Sequence, residues 1–255
     1  MDALQTLVVQ LVFASLRYLP VIAIPSLSPL SWAPGIIRVC VLLSMAWLTV
    51  IASPAMPFQP AWGQPVGLML ACGSELLLGL TFSLAVMLPQ AALSMGASVA
   101  DTQAGLSAAS LFNPSGMHES ETITGTIFML AATVLFFTLN LHLMLFEMMA
   151  ASVHVLPLGA LAMHLDVDAF MAMLGSSFML GLAVVAPVIL GLFAVDLGVA
   201  YATRSMPQAN VYFLALPLKI AIALLLLAMT LRFAPSLVGR LYQDAFGRLP
   251  AVFGA

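Results

Sequence analysis

Charge is what this chain has least of. Only 7% of its 255 residues are Asp, Glu, Lys or Arg, against about a quarter in an ordinary soluble domain. So few charges cannot cover a water-facing surface. The chain is therefore read as an integral membrane protein or as a subunit buried in a membrane-linked complex. A net charge of -3 and a pI near 5.7 exclude the basic face that nucleic-acid binding needs. Cysteine is also scarce. Cys40 and Cys72 lie in separate apolar runs and read as small buried hydrophobes, not as a disulfide or a metal pair. There is no Gly-rich phosphate loop, no G-x-S-x-G elbow and no nucleophile–base pair. Catalytic, cofactor and metal residues are accordingly expected to be absent. No strand alternation long enough for a barrel is seen, and no short-period repeat. A cleavable leader is not expected, because Asp2 stands where a basic n-region would be and apolar sequence continues past any plausible cut.

What is present is hydrophobic length. The chain is 63% hydrophobic, with a mean hydropathy of +1.13. Six apolar stretches run over residues 3–24, 36–53, 66–93, 123–149, 169–200 and 211–231. A span needs about 20 apolar residues. The second stretch barely reaches that, while the third, fourth and fifth exceed it and must tilt, kink or project. Pro89 and Pro187 are the expected kink or break points. The fold class is all-α: a polytopic, membrane-associated protein of about six long hydrophobic helical blocks, some broken into hairpins. Residues 54–65 carry four prolines and read as a rigid linker, residues 91–121 form the longest polar interruption, and the tail after Arg232 is amphipathic. The positive-inside rule ties, so orientation is not read from it.

The few charges lie in or beside the apolar stretches: Arg17, Arg38, Glu75, Glu147, Asp196 and Lys219. A charge at mid-bilayer costs about 2.5–3.5 kcal/mol even on lenient scales, so each needs a partner. Acids and bases are scattered one per segment, which fits inter-helix contacts better than a proton relay. Arg17, Arg38, Glu75, Asp101, Asp196, Arg204, Asn210 and Lys219 are the expected inter-helix or inter-subunit polar contacts. Asp196 has two candidate partners, Lys219 and Arg204. His142 with Glu147, and His164-x-Asp166-x-Asp168, have spacings too generic for a metal site. The seventeen methionines read as ordinary packing or as a deformable seal.

Residues 96–116 are less ordinary. Small side chains dominate, and the chain can bend at Gly105, Pro114 and Gly116. The segment is too polar for lipid and too apolar for a solvated loop. It suits a protein-lined cavity, either as a re-entrant packing loop or as a movable plug.

Several motifs stand in a fixed order: Arg17, Pro25, Pro34 and Arg38; Glu75-Leu-Leu-Leu-Gly79; Asp101-Thr-Gln-Ala-Gly105-Leu-Ser, then Asn113-Pro114; Asn140-Leu-His142, then Ser152 and Pro157-Leu-Gly159; Pro187; Asp196-Leu-Gly198; and Arg204-x-x-Pro207-Gln208-x-Asn210-Val211 closing on Pro217-Leu-Lys219. Together, over about two hundred residues, they resemble the FliR/SctT family of type III secretion. Val99-Ala100, Asn113 and Leu141 depart from that family's commoner residues. The resemblance implies a non-enzymatic core subunit of the export gate, forming part of the channel for unfolded export substrates. It implies FliP-like and FliQ-like partner subunits, a docked FlhB-like protein, and a place in the bacterial inner membrane at the flagellar basal body. It makes residues 1–168 FliP-like, including a plug-like segment 96–121, and residues 169–255 a FliQ-like hairpin with a C-terminal tail. The plug itself maps to Gly105, Leu106, Ser107, Phe112, Asn113, Pro114 and Gly116. Family helices sit partly above the bilayer, inside a helical hetero-oligomer, so six blocks need not be six crossings. Asn140-x-His142 points to the flagellar branch; the alternatives are a virulence injectisome and, outside the family, a proton-coupled secondary transporter.

Overall fold

The computed structural model describes residues 2–24, 30, 32–52, 60–105, 123–160, 166–205 and 211–253. Among them every regular element is helical. The α-helices are α1 Asp2–Ile22, α2 Gly35–Ala52, α3 Pro65–Ala104, α4 Ile123–Thr138, α5 Leu141–Val155, α6 Val167–Ser205 and α7 Val211–Val252, with a 3-10 turn at Pro60–Gly63. Five helices are long and apolar enough to cross a membrane, or six if the bent pair α4–α5 counts as one span. An all-helical solution follows from the solvent: in hydrocarbon each backbone N–H and C=O must be satisfied within the chain.

Helix ends follow local chemistry. Pro65 opens α3, where its missing N–H costs nothing. Asp166 caps α6, its Oδ1 accepting from Asp168 N at 2.9 Å and Ala169 N at 3.2 Å. The Asp166-x-Asp168 spacing is thus that of a capped helix start, and His164 lies outside the described residues. Asp168 in the first turn and Arg204 in the last turn of α6 complement the helix dipole.

Three boundaries differ from the sequence expectation. Helix α3 runs on to Ala104, so the stretch read as a polar interruption from residue 91 begins as helix. Helix α7 continues to Val252 and takes in most of the tail. The break falls at Asn140, not at Pro89 or Pro187, through which α3 and α6 continue. Asn140 has φ 56, and α4 and α5 meet there at 64°. Asn tolerates this left-handed backbone better than most residues, and hydropathy is blind to it.

The chain divides into two compact units. The first holds Met1–Met87, Asn140–Leu174 and Ala245–Ala255; the second holds Leu88–Leu139 and Gly175–Asp244. In the first, Phe13, Tyr18, Phe82, Leu145 and Met149 are fully buried. Tyr18 and Thr49 share a 2.8 Å hydrogen bond between α1 and α2. In the second, α3 and α6 approach through small residues. A Cβ on Gly181 would lie 2.4 Å from that of Ala92, and one on Gly96 would lie 2.9 Å from Val185 Cγ2. Small side chains let helix backbones close up where apolar exclusion from water is not the driving force. Outside, α6 shows an apolar stripe of Leu190, Phe193, Leu197 and Tyr201, all exposed. Their spacing of three and four residues puts them on one face.

Candidate functional site

Two polar nodes hold four of the expected contact residues. The first lies in the unit that contains α1, α2 and α5. Arg17 on α1 meets Glu75 on α3 as a two-pronged pair: Nε donates to Oε2 at 2.6 Å and Nη2 to Oε1 at 3.0 Å. Parallel bonds of this kind suit the planar guanidinium. Arg17 Nη1 also donates to Ser152 Oγ at 2.9 Å, and Nη2 to the Leu156 carbonyl at 3.0 Å. Glu75 Oε1 accepts a further bond from Gly159 N at 2.7 Å. Both side chains are essentially without solvent exposure. A buried pair is tolerable only when the remaining lone pairs and protons find partners, and here they do.

Two glycines make the node possible. Gly79 follows Glu75 by one helical turn, on the same face of α3. A Cβ there would lie 2.4 Å from the Arg17 carbonyl oxygen and 2.8 Å from Pro20 Cδ. The E-x-x-x-G spacing therefore lets α1 come close enough for Arg17 to reach Glu75. Gly159 sits at φ +74, and a Cβ would meet Phe13 Cε2 at 2.5 Å and Trp62 Cζ2 at 2.8 Å. Its left-handed turn aims its N–H at Glu75, and its carbonyl accepts from Trp62 Nε1 at 3.2 Å. Ser74 Oγ, beside Glu75, donates to the Ala160 carbonyl at 3.0 Å.

The second node lies in the other unit. Lys219 on α7 forms an ion pair with Asp196 on α6, which decides between the two partners open to Asp196. Lys219 Nζ also donates to the Gln103 carbonyl at 3.4 Å, at the end of α3. The side chains are 15% and 40% exposed for Lys219 and Asp196. A cleft of about 250 Å³ opens beside them, lined by Asp196, Thr203, Leu216, Lys219 and small apolar residues.

The other expected residues are dispersed. Arg38 is half-buried and donates to the Ala23 carbonyl at 3.2 Å, just past the end of α1. Asp101 is fully buried near the end of α3. Arg204 is exposed in the last turn of α6. Gly105 ends the described part of its segment at φ +80. Leu106, Ser107, Phe112, Asn113, Pro114, Gly116 and Asn210 lie outside the described residues. No group of three His, Cys, Asp or Glu side chains converges among the described residues. Sequence reasoning did not single out Ser74, Trp62 or Gln103. Ser74 and Trp62 join through backbone carbonyls far away in sequence, and Gln103 through its own carbonyl, which accepts from the Lys219 side chain; no local pattern announces that.

Comparison with known proteins agrees with the ordered motifs. Residues 7–245 match the family described as bacterial export proteins, family 1. The Yop proteins translocation protein T of Yersinia pestis is 31% identical over 163 residues; the match covers 63% of this chain and 62% of that protein, so the shared part is less than two thirds of the relative's length. The flagellar biosynthetic protein FliR of Pectobacterium carotovorum is 25% identical over 207 residues, 79% of this chain and 77% of that one. The flagellar biosynthetic protein FliR of Caulobacter vibrioides is 27% identical over 254 residues, 98% and 97% of the two chains. With its apolar helices, its ordered motifs and a match over nearly its whole length, the chain belongs to the bacterial export proteins of family 1, the FliR/SctT family.

Proposed function

We propose that this protein is a core subunit of the type III protein export gate, in its flagellar form, and contributes part of the channel for unfolded export substrates. It works with FliP-like and FliQ-like subunits and a FlhB-like protein, in the bacterial inner membrane at the flagellar basal body. Residues 1–168 are its FliP-like portion and residues 169–255 its FliQ-like hairpin and tail. Its role is structural and conductive, without catalysis.

The observation that carries this reading is the contrast between inside and outside. The Arg17–Glu75 pair is sealed within the protein, while large apolar side chains such as Leu190, Phe193 and Tyr201 stay exposed on α6. Such a surface needs lipid or neighbouring polypeptides to cover it. The family match supports the neighbours being export subunits. Purification in mild detergent, with mass measurement of the native particle, tests it. A particle holding several protein species is expected; a stable, functional monomer in bilayers overturns the reading. Within it, Gly105 begins a channel plug that extends over Leu106, Ser107, Phe112, Asn113, Pro114 and Gly116. Deleting residues 105–116 is expected to raise ion leak through the assembled gate and to leave assembly largely intact. Unchanged leak with collapsed assembly would make the segment a packing element.

A specific observation favours a second reading, the equivalent subunit of a virulence injectisome. Identity to the Yersinia translocation protein is 31% over 163 residues, against 29% over 163 for the flagellar FliR of Bacillus subtilis and 27% over 254 for that of Caulobacter vibrioides. The Asn140 element also has a backbone reason to exist, its positive φ. Complementation separates the branches: restored motility in a flagellar deletion strain supports the flagellar form, and restored effector secretion alone supports the other.

A further inference from the structure

The last turn of α3 is tied down from α7 at two points. A Cβ on Gly105 would lie 3.1 Å from Leu216 Cδ2, so the end of α3 packs on that leucine. Three residues further along α7, Lys219 Nζ donates to the Gln103 carbonyl at 3.4 Å. Residues three apart share a helix face. The Gln103 carbonyl is among the last four of α3, which have no acceptor role inside the helix. A helix C-terminus carries partial negative charge, so an ammonium there is favourable. Directly afterwards Gly105, at φ +80, turns the chain out of the helix. The same ammonium is paired with Asp196 on α6. One positive charge is therefore shared between a helix end and a carboxylate.

We propose that Lys219 is a positioning residue, a releasable clamp that holds the terminal turn of α3 against α7, with Asp196 setting its strength. Asp196 compensates the ammonium, which would otherwise turn toward water and leave the Gln103 carbonyl. The arrangement is releasable because Asp196 is 40% exposed and opens on the cleft lined by Thr203 and Leu216. A charged group entering that cleft can compete for either partner, which is impossible at the sealed Arg17–Glu75 pair. The clamp itself is a matter of geometry; its consequence for transport rests on the conduit reading given above.

Amide hydrogen exchange on the full chain, in its copurified membrane assembly, tests the clamp, and ion leak through the same assembly tests its consequence. Peptides covering residues 98–105 are compared in K219M, K219R and D196N. Exchange in K219M and D196N is expected to quicken about fivefold in those peptides, while peptides around Arg17 stay unchanged. K219R keeps both charge and donor and should stay within about twofold of the parent. Leak should rise in K219M and D196N and stay low in K219R. If K219M does not accumulate, D196N, which keeps the side-chain volume, decides. Unchanged exchange in K219M or D196N overturns the clamp. Quickened exchange without added leak overturns its link to transport. Deletion of residues 105–116 serves as the control. If it too fails to leak, the conduit reading has failed, and the exchange result still judges the clamp by itself.

Discussion

Arg17 and Glu75 are sealed from solvent and share five hydrogen bonds with each other, Ser152, Leu156 and Gly159. Lys219 and Asp196 are partly exposed, and beyond their mutual pair Lys219 reaches, among the described residues, one helix-end carbonyl. The first node joins α1, α3 and the turn after α5, with glycines cut to fit the approach. The second joins α6, α7 and the end of α3 beside an open cleft. A saturated pair in low dielectric has no cheap alternative partner, so it fixes one arrangement. A partly solvated pair can exchange its partner for water or another charge at small cost. The two regions therefore differ in kind: one is a fastener, the other an adjustable tie.

The hardest test of that contrast is Glu75→Ala. It strands Arg17 in an apolar interior and is expected to cost about 3–5 kcal/mol, read as lost accumulation of the chain in membranes. Replacing both partners by leucine should recover part of that loss, because no unpaired charge remains; a double variant no better than the single would break the comparison. Next comes Gly79→Ala, whose Cβ would press on the Arg17 carbonyl 2.4 Å away. It should cost about 1–3 kcal/mol in a thermal-shift series on the assembly. Gly73→Ala, on the same helix with nothing within 4 Å of its Cβ, is the control and should stabilise by about 0.5–1 kcal/mol. Asp196→Asn should change overall stability by no more than about 1 kcal/mol, since its side chain is 40% exposed. A loss as large as that of Glu75→Ala would place the second node in the same class as the first. Arg204→Ala, exposed in the last turn of α6, should remove only the helix-dipole contribution of about 0.3–1 kcal/mol. The same thermal-shift series measures it.

Much of the architecture was legible because hydropathy and helix content are both set by solvent exclusion. All six apolar stretches correspond to helices, the fourth of them to two. The misplaced ends have a common cause. Hydropathy falls in the small, polar run after Leu93, yet Ala, Met and Ser there still propagate backbone hydrogen bonds to Ala104. The same holds beyond Leu231, where α7 carries its polar residues on to Val252. The Asn140 break is silent to hydropathy, and its only local signal is an Asn inside an apolar run. In the first node, Glu75-x-x-x-Gly79 is in sequence only one motif of the family resemblance; the close approach at Gly79 and the partner Arg17 came from the structure. Ser152 and Gly159 lie 135 residues from Arg17 and 84 from Glu75. The second node was narrowed in sequence to two partners for Asp196, and geometry chose Lys219.

The amino-acid order alone pointed to an all-helical, membrane-associated chain, because charge scarcity and apolar length act locally and add along the chain, and its ordered motifs carried the family resemblance. Only the folded arrangement decided which charges meet, how deeply each pair is sealed, and that a turn glycine's N–H completes the Glu75 node. Pairing and burial depend on distances between remote segments, and those distances exist only once the helices have packed.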